Sequence, residues 1–166
     1  MAHPALAGLA LIAYPQAAAE DVEAVRALIG RVPRTAFDVV VRSSGGAPVV
    51  IRNAPLERDG TPMPTRYWLV GPVEIAAVGH LEAAGGVRRA ESEIDAAAIA
   101  EAHARHAAER DADIPAGWAG PRPAGGVGGT RRGVKCLHAH YAWFLAGGDD
   151  PVGRWTQEQL DREAQR

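Results

Sequence analysis

A single cysteine in 166 residues cannot build an internal disulfide framework, and taken alone it fits a reducing cytoplasm. Strong charge of either sign is missing too. The formal net charge of -2 and the near-neutral pI of about 6.3 exclude a general pull toward nucleic acid or an acidic membrane, so an anion site has to be local. No apolar run is long enough to span a bilayer. The run at residues 5–13, followed by Ala17-Ala18-Ala19, has the small residues a signal peptidase accepts, but no Lys or Arg precedes it. Residues 1–17 therefore read as a disordered arm, with a signal peptide as the alternative. Walker order is absent, and so is any cofactor fingerprint.

What is present suits a single domain. At 47% apolar residues the chain can bury a core, and its periodic segments are well separated. Val22, Val25 and Ile29 share one stripe of an amphipathic helix stopped by Gly30 and Pro33. Residues 37–41 and 49–52 are β-branched runs joined by Ser43-Ser44-Gly45-Gly46, a hairpin, and residues 65–70 read as a third strand. A second helix runs from Val73 to Gly85-Gly86. Ser92 and Asp95 suggest a capping box opening a long, largely solvated helix to Asp111, since large apolar residues are scarce there. Residues 114–133 are rich in Pro and Gly and predict a mobile loop, poorly ordered without a partner. The last helix, 134–146, is apolar nearly all round and should be buried. Asp149 to Gly153 reads as a turn, and residues 154–166 as a short exposed helix or frayed tail. These elements predict an α+β fold. A small, mainly antiparallel sheet of about three strands packs on three to four helices in one domain at 18–153.

Two stretches carry more specific patterns: Thr61-Pro62-Met63-Pro64-Thr65-Arg66-Tyr67-Trp68-Leu69, and Val134-Lys135-Cys136-Leu137-His138-Ala139 followed by Asp149-Asp150-Pro151-Val152-Gly153. In order and spacing they resemble the domain of unknown function 501 family, found mainly in actinobacteria, over about residues 21–153. Thr61, Pro62, Pro64, Thr65, Trp68, Asp150, Pro151 and Gly153 carry that resemblance. It implies a cytoplasmic protein, often encoded beside a septum-formation protein, enolase and an exopolyphosphatase, and so an association with cell division or phosphate metabolism. Many members look cysteine-rich, with a Cys-x-Cys-Gly-like element where this chain has Ser43-Ser44-Gly45-Gly46 and a Cys-Pro where it has Gly71-Pro72. A metal or cluster held by those thiolates would have lost most of its ligands here.

Three chemistries compete around residues 128–141. Cys136 and His140, four apart on a helix, offer two metal ligands, which are not a site by themselves. Cys136 as a thiolate at a helix N-terminus, with His138 and His140 nearby, suggests a thiol- or metal-dependent hydrolytic enzyme, although no orienting residue or oxyanion hole is evident. Gly129, Arg131, Arg132, Gly133 and Lys135 suggest an anion cradle in which glycines let backbone N–H groups approach a phosphate and the cations add charge-assisted bonds. Tyr67 and Trp68 should point to opposite sheet faces. The sequence therefore favours an accessory or interaction protein that contacts a protein partner or a phosphate-bearing small molecule through the basic loop. It identifies no cofactor.

Overall fold

The computed structural model describes residues 16–166, so the expectations for the first fifteen residues lie outside it. Helix α1 (Ala19–Ile29) opens with Glu20 and Asp21 in its first turn, where the helix dipole favours negative charge. It closes at Gly30, whose left-handed φ of 76° lets its N–H reach the Arg26 carbonyl. The strands β1 (Phe37–Arg42), β2 (Pro48–Asn53) and β3 (Tyr67–Leu69) follow, all antiparallel in the order β1-β2-β3. In the hairpin turn the Ser43 hydroxyl accepts from Ala47 N at 3.1 Å, and Gly46 N donates to Ser43 O.

Both sheet faces are covered. Ile51, Phe37 and Trp68 pack with Val25 of α1 on one face, while Val50, Tyr67 and Leu69 pack with the helical layer on the other. Tyr67 and Trp68 thus diverge as strand alternation requires. The helical layer comprises α2 (Pro72–Ala83), α3 (Gly86–Glu93), α4 (Ala96–Asp111), α5 (Leu137–Leu145) and α6 (Pro151–Ala164). The result is a single α+β domain with a three-stranded antiparallel sheet, as the sequence predicts, and six helices among the described residues.

Several local expectations are corrected. Gly85-Gly86 does not only stop α2. Gly85 turns at φ 84° and α3 starts at once, because a Cβ on Gly86 would lie 2.6 Å from the Leu81 carbonyl and only glycine permits that approach. The long helix therefore begins at Ala96 with Asp95 as its cap, accepting from Ala97 N at 3.2 Å, while the Ser92 hydroxyl turns back to Arg89 O. Nor is α4 largely solvated: Ile99, Ala102, His103, His106 and Arg110 form a buried stripe. Finally, α5 starts three residues later than predicted, since Gly133 has φ 61° and Cys136 is extended, and Pro151 opens α6 in place of a turn, burying Trp155 and Gln159.

Candidate functional site

Helix α4 presents its buried stripe to α5, to the start of α6 and to residues 123–133. The spacing 99, 103, 106, 110 keeps these side chains on one face, and three of the four are titratable. His140 of α5 is 1% exposed and meets His103 with ring centroids 5.6 Å apart. Its Nδ1 lies 2.7 Å from Asp150 Oδ2, and its Nε2 is buried without a protein partner among the described residues. Asp150, fully buried, uses Oδ1 to accept from Val152 N and Gly153 N, capping α6. His106, also 1% exposed, meets Trp143 edge-on at 5.1 Å. Burial, reinforced by the Arg110 and Arg66 charges, pushes its pKa down to about 4, with Glu109 and Asp150 opposing.

Below this cluster Glu109 ties α4 to the sheet and to α5. It accepts from the Tyr67 hydroxyl, from Trp143 Nε1 at 3.0 Å and from Arg66 Nε at 3.1 Å. Burial would raise its pKa, but these hydrogen bonds and the Arg66 charge outweigh it and hold the carboxyl below its ordinary range.

The glycine loop rests on the same stripe. Arg110 is 1% exposed and donates to the Gly125 and Pro123 carbonyls at 2.8 and 3.4 Å. His103 takes the Val127 N–H at Nδ1 (3.0 Å) and donates from Nε2 to Gly133 O (2.8 Å). Between these anchors Gly126 N bonds Thr130 O at 2.7 Å, Gly129 N bonds Gly126 O, and Gly129 sits against Pro64, so the glycine loop meets the motif at residues 61–69. Arg131 and Arg132 stand at the exposed tip without an ion pair among the described residues. Lys135 is exposed, with Nζ 3.3 Å from Gly128 O.

The remaining sequence candidates do not converge. Cys136 is the extended residue before α5, half-buried beneath the sheet, and makes no hydrogen bond to His140. Burial pushes its thiol pKa up, away from the thiolate a nucleophile needs. His138 faces α2 instead, with Nδ1 3.1 Å from Glu82 Oε1 and Nε2 3.3 Å from Ile75 O. The same Glu82 oxygen accepts from Leu137 N at 2.5 Å, and Glu91 accepts from Val134 N at 2.8 Å, so the amino end of α5 is already supplied with carboxylate. Among the described residues no group of three or more His, Cys, Asp or Glu side chains is placed to hold a metal ion.

A model for a protein of unknown function (DUF501) matches residues 39–158, from inside β1 to well into α6. The chain belongs to the DUF501 family. No curated protein and no solved structure matches it. In this DUF501 protein the Asp150-Pro151-x-Gly153 motif has a structural role: Asp150 caps α6, Pro151 occupies a first-turn position where no N–H is needed, and a Cβ on Gly153 would lie 2.3 Å from Phe144 Cβ and 2.8 Å from His140 O. In the other motif, Asp59 Oδ1 accepts from Thr61 N at 2.9 Å, Pro62 pairs with Leu56 and the Thr65 carbonyl accepts from Asn53 Nδ2, giving a rigid entry to β3.

Asp150→Ala should lose roughly 2 kcal/mol in urea unfolding, because it uncaps α6 and strips the buried His140 Nδ1 of its acceptor. Asp150→Asn keeps the cap oxygen and should lose less. The sequence reading missed Arg110, Glu109 and the His140–Asp150 pairing. The polar stripe on α4 was visible as i, i+3, i+7 spacing, but the elements it faces were not.

Proposed function

We propose that this DUF501 protein binds a phosphate-bearing ligand through Arg131 and Arg132, with Lys135 beside them. One observation carries the reading: two adjacent exposed guanidiniums have no carboxylate partner among the described residues and sit on a turn held at both ends by buried side chains. Other arginines are neutralised, as Arg42 is by Asp21 at 2.7 Å, Arg52 by Asp38 at 2.7 Å and Arg66 by Asp113 at 2.7 Å. Guanidinium forks match phosphate oxygens bidentately, and a braced mount lowers the ordering cost of binding. Recognition comes from the cations, not from the amide cradle. Gly129 N and Val127 N are used inside the loop's own framework, and Glu82 takes the Leu137 N–H.

The same reading takes the protein to act in the cytoplasm and in phosphate metabolism or division, as an accessory and not as a hydrolase. Among the described residues no helix is long and apolar enough to cross a membrane. The test is calorimetric titration with tripolyphosphate at low salt. The wild type should bind, with affinity falling as salt rises, and Arg131→Ala/Arg132→Ala should weaken binding by about tenfold or more. Negligible binding by both proteins would end the proposal.

A further inference from the structure

His103 closes the loop through two hydrogen bonds whose polarities are fixed by the backbone. Val127 N–H can only donate, so Nδ1 must present its lone pair, and Gly133 C=O can only accept, so Nε2 must carry the proton. Only the neutral Nε2–H tautomer satisfies both. A second proton on the ring would set Nδ1–H against the Val127 N–H, donor against donor. Reorientation of the ring is blocked, because Gly126 backs onto it: a Cβ there would lie 2.5 Å from His103 Cβ and 2.6 Å from Nδ1.

We infer that His103 is a proton-sensitive latch that holds residues 125–133 against α4 when neutral and releases them when protonated, so acid uncouples the phosphate site from its mount. This deepens the proposed function and rests on it for the ligand, although the latch itself can be read without one.

The charged and titratable groups around the ring are compatible with this role. On α4 itself stand His106 and Arg110, the latter bound to the loop carbonyls. From α5 comes His140, with Asp150 at the start of α6 behind it. Glu91 of α3 holds Val134 next to Gly133, and Lys135 reaches Gly128 O. No carboxylate among the described residues bonds His103 directly, so no acceptor waits at Nδ1 for the second proton. Glu91 and Arg110 remain as partial anchors, which makes the release local to the Val127 turn.

The experiment is residue-resolved amide exchange on the full chain at pH 7.5 and 5.0, expressed as protection relative to intrinsic rates. Val127 and Thr130 should lose about tenfold or more protection at pH 5.0 beyond any change at Ala102 in the middle of α4. In His103→Asn the side-chain oxygen takes the place of Nδ1 and cannot titrate, so the Val127 protection should change no more than that of Ala102 over this range. If that variant does not fold, the ring-nitrogen titration of His103 in the wild type must share its midpoint with the Val127 loss. Val127 protection that is unchanged at pH 5.0, or that falls only in step with Ala102, overturns the latch. Absence of tripolyphosphate binding at pH 7.5 would instead defeat the phosphate site and leave the exchange result standing.

Discussion

Arg66→Ala is expected to destabilise the protein by about 3 kcal/mol in urea unfolding, measured at pH 7.5. Arg66 is 4% exposed and spans two carboxylates of α4 and its end, Glu109 at 3.1 Å and Asp113 at 2.7 Å, with its guanidinium 5.7 Å from the Tyr67 ring centroid. Alanine removes both charge-assisted bonds and the packing of the side-chain stem between β3 and α4. Glu109 would keep its bonds from Tyr67 and Trp143, and both carboxylates retain partial access to water, which is why the figure sits at the low end for a broken buried pair. Arg66→Lys should recover part of the loss, since a single ammonium cannot serve both acceptors as the fork does. The exposed pair Arg26–Glu23, 59% and 69% accessible, is the internal comparison, and Arg26→Ala should cost about 0.5 kcal/mol or less. If Arg66→Ala fell in that same small range, the β3–α4 tie would not be a determinant of the fold.

This contrast marks where the sequence is legible. The strands were readable because period-two apolar runs and the Ser-Ser-Gly-Gly turn are local signals, and the three strands lie within a residue or two of their predicted places. The start of α3 directly after α2 was not, since it depends on the close approach of Gly86 to the Leu81 carbonyl, a tertiary contact. On α4 the scarcity of large apolar residues pointed to solvent. Its interface is instead filled by imidazoles and an arginine stem whose polar atoms find partners in residues 123–133, except His106 Nδ1, which finds none among the described residues. Burial of such side chains follows from what they meet, which no periodicity reveals. The cationic loop could be recognised by composition, and its proximity to Pro64 and α4 could not.

For the same reason the acid response of the global stability, as distinct from the local His103 latch, should be carried largely by one histidine that composition alone does not single out. His106 has a pKa of about 4 in the fold against an ordinary value of 6.5, because it is buried beside Arg110. At pH 7.5 the ring is neutral in folded and unfolded chains alike and contributes no pH term. As pH falls through 6.5 the unfolded chain takes up a proton that the folded one refuses until pH 4, so stability is lost across that window, by about 2 kcal/mol at pH 5 and roughly 3 by pH 4. Glu109 acts in a different window: its lowered pKa contributes stability above the ordinary carboxylate value that disappears only as pH drops below it. His106→Leu therefore separates the two. No described residue bonds His106 Nδ1, so leucine strands no partner and should leave stability at pH 7.5 within about 1 kcal/mol of the wild type. At pH 5 it should be the more stable protein by about 2 kcal/mol, with an unchanged decline below pH 4.5 from Glu109 and the other carboxylates. Parallel pH profiles for the two proteins between pH 7.5 and 5 would show that the imidazole is not held neutral by its surroundings. The compact packing of α4 against α5 would then have to admit a charge or a water at that position.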